Sequence, residues 1–301
     1  MDSKFYNDNG YFFPVKIFNQ NEIADIYNDF TKTFIINNKI INKEYLTKSH
    51  LILPWVSKII FNKNIINNVQ QLLSNKNILC WSSTFFVKEP NKSQFVSWHQ
   101  DIKYWGLKPA NLVTASLSIT PSNIQTGCLN VVSGSHKEKI LSHKKKFNKN
   151  NLLSQGQFID NDNINQEKIV NLILKSGECS FHHPNIIHGS DKNDSSNFRI
   201  LFAIRYISAD VKQESNQYNT ATLVSGENFN KFFINEPIPE IAFGKKEMNY
   251  FKNINMYQLK GYIENNVKFN FLKNFLLFFF KKKIFNYTLF GLYKIVRKIY
   301  K

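Results

Sequence analysis

The chain has 301 residues and a formal net charge of +17, a length that allows one large domain or two small ones with a substantial core. Cys80, Cys128 and Cys179 are odd in number and widely scattered, which excludes a disulfide framework or a zinc spacing. Of the 39 basic residues only Arg199, Arg205 and Arg297 are arginines, so the charge reads as lysine-rich compositional drift and argues against a nucleic-acid partner, for which arginine is the main base-reading side chain.

Residues 10–18 read as a short extended segment. From Asn21 to Phe34 the spacing of Ile23, Ile26, Tyr27, Phe30 and Phe34 predicts a helix with one apolar side. Pro54 suits a first helical turn, and Ile65, Ile66, Val69, Leu72 and Leu73 mark a further amphipathic helix. Both stripes are those of packing helices. From residue 78 the pattern changes to strands. Ile78–Lys88 is rich in β-branched and aromatic residues and stops at Glu89-Pro90-Asn91. Val113, Ala115, Leu117 and Ile119 alternate with Thr114, Ser116 and Ser118. Cys128–Val132 and Cys179–His182 read as short strands, and residues 142–168 as a long surface loop with a helical piece. Phe198–Ile207 is apolar on both faces, which predicts a central strand.

Many short strands, no βαβ rhythm and helices gathered at the front predict a mainly β fold with flanking α: an antiparallel sandwich or jelly roll. Residues 211–262 read as an irregular trailing segment packed partly on it. The expected division is one domain over 1–262, with its motif core at 78–208, and a basic, aromatic helical tail over 263–301. Within 268–301 there are basic residues and no acid. No apolar run there reaches the ~18–20 residues needed to span a bilayer. A membrane-interface segment and a docked helical hairpin both fit its pattern. Met1-Asp2-Ser3-Lys4-Phe5 lacks the cationic patch and apolar run of a secretory signal. The expected setting is therefore cytoplasmic and reducing, with peripheral contact at the inner face of a membrane as the variant that the tail suggests.

The chemistry is carried by two separated clusters. Trp98-His99-Gln100-Asp101 places a His and an Asp two apart, which on a strand point the same way. Nearly ninety residues later, His182–Ser190 offers a distal His, and Arg199 follows on the central strand. Two histidines and one carboxylate with open positions is the ligand set that suits non-haem Fe(II) oxygenases. His182 and His183 compete with His188 for the distal place. His188 is preferred, because Gly189 allows close backbone approach and Ser190 adds a hydroxyl. A buried Arg needs an anionic partner, and its planar fork fits a carboxylate. Three metal ligands and one carboxylate clamp are what 2-oxoglutarate requires. A zinc hydrolase would need a general base and usually a third His, and would have no use for Arg199.

The chain is similar to the phytanoyl-CoA dioxygenase family of Fe(II)/2-oxoglutarate oxygenases. The matching pieces run in the family's order: Gly10–Pro14, Phe86–Pro90, Ser97–Leu107, Val113–Ala115, Gly127–Leu129, Ser133–Lys137, Gly177-Glu178, His182–Ser190 and Arg199–Tyr206. They cover about residues 10–208. The resemblance implies a double-stranded β-helix with the metal at one open end. Carried over by position, it implies His99, Asp101 and His188 as iron ligands, Arg199 and Ser190 as 2-oxoglutarate anchors, and Gln100 as a neighbour of the cosubstrate. O2 is then the second cosubstrate, and the substrate a small molecule. Where the family usually has Trp, this chain has Ser116, which removes a ring from the expected pocket wall. Asp101 is retained, whereas halogenating relatives have a small residue there, so the resemblance favours hydroxylation. Tyr104 and Trp105 are candidates for the substrate side or for the core. A non-catalytic metal-binding jelly roll and a desaturase are the alternatives to a hydroxylase.

Overall fold

The structure is a computed structural model that describes residues 1–153, 156–214 and 219–266. Four helices surround the first strand: α1 (Ser3–Asn9), α2 (Gln20–Phe34), α3 (Pro54–Ile60) and α4 (Lys63–Leu73), with β1 (Tyr11–Lys16) between the first two. α2 starts at a capping box. The Asn19 side chain accepts from the Glu22 backbone N–H at 3.0 Å, and the Glu22 carboxylate accepts from the Asn19 N–H at 2.8 Å. Ile23, Phe30 and Phe34 are buried as the stripe requires, while Tyr27 stands exposed at its edge.

The strands that follow are β2 (Ile78–Lys88), β3 (Val96–His99), β4 (Leu112–Ser118), β5 (Leu129–Val132), β6 (Ile169–Leu172), β7 (Glu178–His182), β8 (His188–Ser190), β9 (Arg199–Ser208), β10 (Thr220–Ser225) and β11 (Ile234–Asn235). A short helix, α5 (Ile102–Trp105), follows β3, and α6 (Lys245–Asn266) comes last. The large sheet has the order β1-β7-β4-β9-β2-β10-β11 and the small one β6-β5-β8-β3. β9 is the fourth of the seven strands, the central place that its two apolar faces predict. Two facing, mostly antiparallel sheets make the jelly roll.

The period-two alternation assigns the faces of the large sheet. Phe85 and Val87 of β2, Val113, Ala115 and Leu117 of β4, Cys179 and Phe181 of β7 and Ile200, Phe202 and Ile204 of β9 all join one core with the front helices. Phe85 stacks on Phe202 at 4.3 Å and meets Phe30 of α2 at 5.0 Å. The opposite face carries Ser82, Thr84, Phe86 and Lys88, then Thr114 and Ser116, then Ser180 and His182, then Arg199, Ala203 and Arg205. This polar inner face looks across to the small sheet.

Two expectations are corrected. Residues 211–262 are not merely an irregular trailing segment: β10 pairs with β2 inside the large sheet, and α6 runs from 245 to 266, across the expected boundary at 262/263. The loop over residues 142–168 has the expected helical pieces, at Asn161–Asn163 and Gln166–Lys168, but is fastened to β3 where the sequence predicts a plain surface loop. Ser97 donates to the Gln157 carbonyl at 2.5 Å, Ile159 N donates to Trp98 O at 2.8 Å, and Ile159 and Ile164 are buried with Trp98. The expected basic tail at 268–301 lies outside the described residues. No helix among the described residues is long and apolar enough to cross a membrane.

Candidate metal centre and cosubstrate site

β3 and β8 lie side by side in the small sheet, and their register sets His99 opposite His188. Past the bulge at that pairing, Gly189 runs so close to β3 that an added Cβ would stand 3.0 Å from the Val96 carbonyl and 3.2 Å from the Trp98 ring. This is the close approach expected of that glycine. Asp101 follows β3 by two residues and turns its carboxylate to both rings. His99 Nε2 is 3.3 Å from one of its oxygens and His188 Nε2 is 3.7 Å from the other. All three side chains are buried, and one ligand atom from each falls within 4.8 Å of the others.

The backbone fixes which nitrogen is free. His99 Nδ1 faces the carbonyls of Ser97 at 2.9 Å and His188 at 3.1 Å, and His188 Nδ1 faces that of Ile186 at 3.0 Å. A carbonyl only accepts, so Nδ1 carries the hydrogen in both rings and the Nε2 lone pairs converge on Asp101. Burial, together with the adjacent His99 ring, pushes the His188 pKa well below its ordinary value, so the imidazole is neutral. Burial acts to raise the Asp101 pKa, but His188 and His99 outweigh it and hold the carboxylate below its usual range. Two imidazoles and one carboxylate in this arrangement fit a divalent iron ion, with positions left for other ligands.

A second cluster lies at the deep end of the inner face. Arg199 of β9 is directly opposite Lys88 of β2, and both are buried. Arg199 Nη2 donates to Gly127 O at 2.9 Å and reaches Ser190 Oγ at 3.4 Å, while its Nε has no partner. Lys88 Nζ donates to Gly127 O at 3.0 Å, to Ser190 Oγ at 2.8 Å and to the Asp191 carbonyl. The Asp191 carboxylate is turned away to Asn130 Nδ2 at 3.1 Å. Among the described residues, no acidic side chain forms an ion pair with either cation. Burial and the neighbouring Arg199 bring the Lys88 pKa down to about 6. A buried guanidinium and a buried amine that an anion would protonate, sharing one hydroxyl and one carbonyl, make an anion site. Gly127 is essential to it. Its φ of +69° is left-handed, and a Cβ there would lie 2.8 Å from Lys88 Nζ and against two carbonyls.

His99, Asp101 and His188 thus converge in one cluster, and Arg199 and Ser190 meet in a second. Gln100 ties two loops: its Nε2 donates to Asn185 O at 2.8 Å and its Oε1 accepts from Leu141 N at 2.8 Å. Of the competing histidines, His183 accepts from Asn185 N at 3.1 Å beside His136. His182 packs 4.8 Å from the His188 ring, with neither nitrogen partnered. Ser116 lies in register between Ala203 and Ser180, so the wall where the family usually has Trp is built of small side chains. Lys88 escaped the sequence reading. Its one signal is parity: Phe86 and Lys88 share a face of β2, and Lys88 precedes a turn.

The comparisons with known proteins agree with this geometry. The profile of the family described as Phytanoyl-CoA dioxygenase (PhyH) matches residues 6–201. The chain is 24% identical over 282 residues to the human peroxisomal phytanoyl-CoA dioxygenase, covering 85% of this chain and 80% of that protein. It is 30% identical over 152 residues to the rat peroxisomal enzyme, covering 47% and 43%. Among solved structures, the non-heme monooxygenase ThoJ in its apo form superposes with a TM-score of 0.72 at 25% identity, over 86% of this chain and 96% of that one. CytC3 with Fe(II) and alpha-ketoglutarate shares the fold, with a TM-score of 0.58 at 20% identity over 80% and 96%. The profile match spans well over half of the chain, and the chain belongs to the phytanoyl-CoA dioxygenase family of Fe(II)/2-oxoglutarate-dependent oxygenases.

Proposed function

We propose that the protein hydroxylates an unactivated C–H bond of a small molecule, with His99, Asp101 and His188 holding Fe(II), and Arg199, Lys88 and Ser190 holding the distal carboxylate of 2-oxoglutarate. The observation that carries this reading is the pairing of a buried His-Asp-His triad with a buried Arg199–Lys88 pair that forms no ion pair with an acidic side chain among the described residues. When bound, the iron with 2-oxoglutarate and O2 supplies an oxidative decarboxylation that yields succinate, CO2 and an oxidant able to break a C–H bond.

The chain's own residues do the rest. The Ser97, His188 and Ile186 carbonyls hold both imidazoles in one tautomer, so the ligand atoms are set before any ion arrives. Asp101 compensates charge, and as a retained carboxylate it fills the position that halogenating relatives leave open. Lys88 and Arg199 match a carboxylate by charge and fork, and Ser190 can donate to it. The small side chains Ala203, Ser116 and Ser180 lie in one cross-strand row of the inner face.

The test is anaerobic addition of Fe(II) and 2-oxoglutarate, followed by succinate release under O2 across a substrate panel. A visible charge-transfer band and substrate-stimulated succinate with a hydroxylated product are expected. Asp101→Ala should lose substrate-stimulated succinate release, and Arg199→Ala should weaken 2-oxoglutarate binding by about ten- to a hundred-fold, the worth of hydrogen bonds to a charged group. Normal turnover in either variant would sink the assignment. Iron binding with no affinity for 2-oxoglutarate would instead mean a metal-binding jelly roll without this chemistry.

A further inference from the structure

The inner face holds a third cation, partly open to solvent, that the reading above leaves unused. Arg205 stands six residues beyond Arg199 on β9, about 20 Å along the strand at ~3.3 Å per residue. The even spacing keeps it on the same face. Cross-strand register places Arg205 beside Thr114 and Thr114 beside His182, in one row. That row borders the metal centre, because the His182 ring lies 4.8 Å from the His188 ring.

The guanidinium is poorly satisfied. Among the described residues its one hydrogen bond runs from Nη1 to Thr84 Oγ1 at 2.8 Å. It lies over the Phe86 ring at 5.7 Å and the Trp105 ring at 5.6 Å. No carboxylate ion-pairs with it among the described residues; Asp101, the nearest influence, is turned to His99 and His188. In the same row, Thr114 Oγ1 and both nitrogens of His182 are buried without a hydrogen-bond partner. Buried polar groups in native proteins are ordinarily satisfied, so a run of orphans beside an unpaired cation marks a place that a ligand completes. Exposure points the same way. Lys88 and Arg199 are sealed, whereas Thr84, Phe86, Trp105 and Arg205 are partly open to solvent. Arg205 is therefore the member of its row that solvent reaches, while Thr114 and His182 are buried.

We propose that the row Arg205, Thr114 and His182 binds a carboxylate of the substrate to be oxidised, with Phe86 and Trp105 flanking its apolar body. The proposal rests on the oxygenase reading of the triad and the deep cation pair. A single planar guanidinium flanked by a hydroxyl and an imidazole matches the two oxygens of a carboxylate. It makes the preferred substrate a free organic acid, in contrast to a neutral ester or thioester, whose carbonyl cannot satisfy the charge.

The experiment is an anaerobic titration of the full-length protein, saturated with Fe(II) and 2-oxoglutarate. The probes are straight-chain monocarboxylic acids, the methyl esters of the same acids, and their neutral N-acetylcysteamine thioesters. The readouts are the shift of the charge-transfer band and the thermal midpoint. Acids should bind about ten- to a hundred-fold more tightly than their esters. Arg205→Leu should erase that preference while retaining the band given by Fe(II) and 2-oxoglutarate, and Arg205→Lys should recover part of it. Esters or thioesters binding as tightly as acids, an acid preference that survives Arg205→Leu, or no response to any acid would each overturn the proposal. The acid-against-ester comparison in the unaltered protein decides the matter even if a variant does not fold. Failure of Fe(II) and 2-oxoglutarate to give a band would count against the oxygenase reading; the thermal midpoint of the metal-free protein with acid or ester then tests the Arg205 row by itself.

Discussion

Lys88 decides how strongly the site beside Arg199 attracts an anion. Burial and Arg199 bring its pKa down to about 6, so above that pH the free protein holds a neutral amine there. Binding a carboxylate beside it favours the ammonium, so 2-oxoglutarate binding takes up a proton. Affinity should therefore fall as pH rises from 6 towards 8, by up to about ten-fold per unit, when titrated anaerobically with iron saturating throughout. Lys88→Met should bind about ten- to a hundred-fold more weakly at pH 6 and show a flatter profile. An unchanged slope in the variant would assign the titration elsewhere. The residue was not legible because a lysine at a strand end beside Glu89-Pro90 looks like a solvated terminus, and burial of its ammonium depends on Gly127 and Asp191 from remote loops. His99, Asp101 and His188 were legible because two of them share a local motif and the third sits in a second one. Arg205 was half legible, since its parity with Arg199 is in the sequence but its empty surroundings are not.

At the scale of elements, the edge of the large sheet is fastened by a buried ionic clip. Glu236 follows β11, and its carboxylate takes the Lys48 ammonium, His50 Nε2 at 3.4 Å, Thr220 Oγ1 at 2.7 Å and Thr222 Oγ1 at 2.8 Å. His50 Nδ1 lies 2.6 Å from Ser83 Oγ on β2. The clip thus ties β10, β2 and the loop before α3. Burial acts to raise the Glu236 pKa, but Lys48 and His50 outweigh it and bring it down to about 2. Its folded value lies below the unfolded one, so the stabilisation is complete above pH 4.5 and is lost as pH falls towards 2. Glu236→Gln leaves a buried ammonium unpaired and should cost about 3–5 kcal/mol at neutral pH. Urea unfolding at pH 7 and pH 4 checks both statements: the variant should be less stable at pH 7 and lose less on acidification than the parent. This clip explains why residues beyond 210 read as irregular. β10 is a strand because β2 lies beside it, and its fastening joins positions nearly 190 apart. No periodicity within the segment reveals such partners, whereas β2, β4 and β9 carry their own alternation.

At the scale of the whole molecule, charge is distributed unevenly between chamber and tail. The jelly roll gathers Lys88, Arg199 and Arg205 on one inner face, while the stretch 268–301 carries lysines among phenylalanines with no acid. On the proposals above, the inner face takes a small anion. The stretch, by composition, suits an anionic surface, where each lysine near lipid headgroups contributes about 1 kcal/mol and aromatic side chains favour the interface. The two fit together if the substrate is an amphiphilic acid, which partitions into membranes and would be met there by an enzyme held at the surface. We propose that 268–301 supplies that attachment. Full-length protein should cosediment with mixed phosphatidylcholine and phosphatidylserine vesicles and much less with phosphatidylcholine alone. Raising salt should weaken it, since screening shortens to about 3 Å at 1 M. A 1–266 version should stay in the supernatant while still giving the Fe(II) and 2-oxoglutarate band, which shows that the barrel is intact. Equal sedimentation of both versions would remove the tail from the account and leave the acid-binding chamber to be tested in solution. Sedimentation without any preference for the anionic lipid would point to apolar insertion as the force, and would assign the attachment to the phenylalanines instead of the lysines.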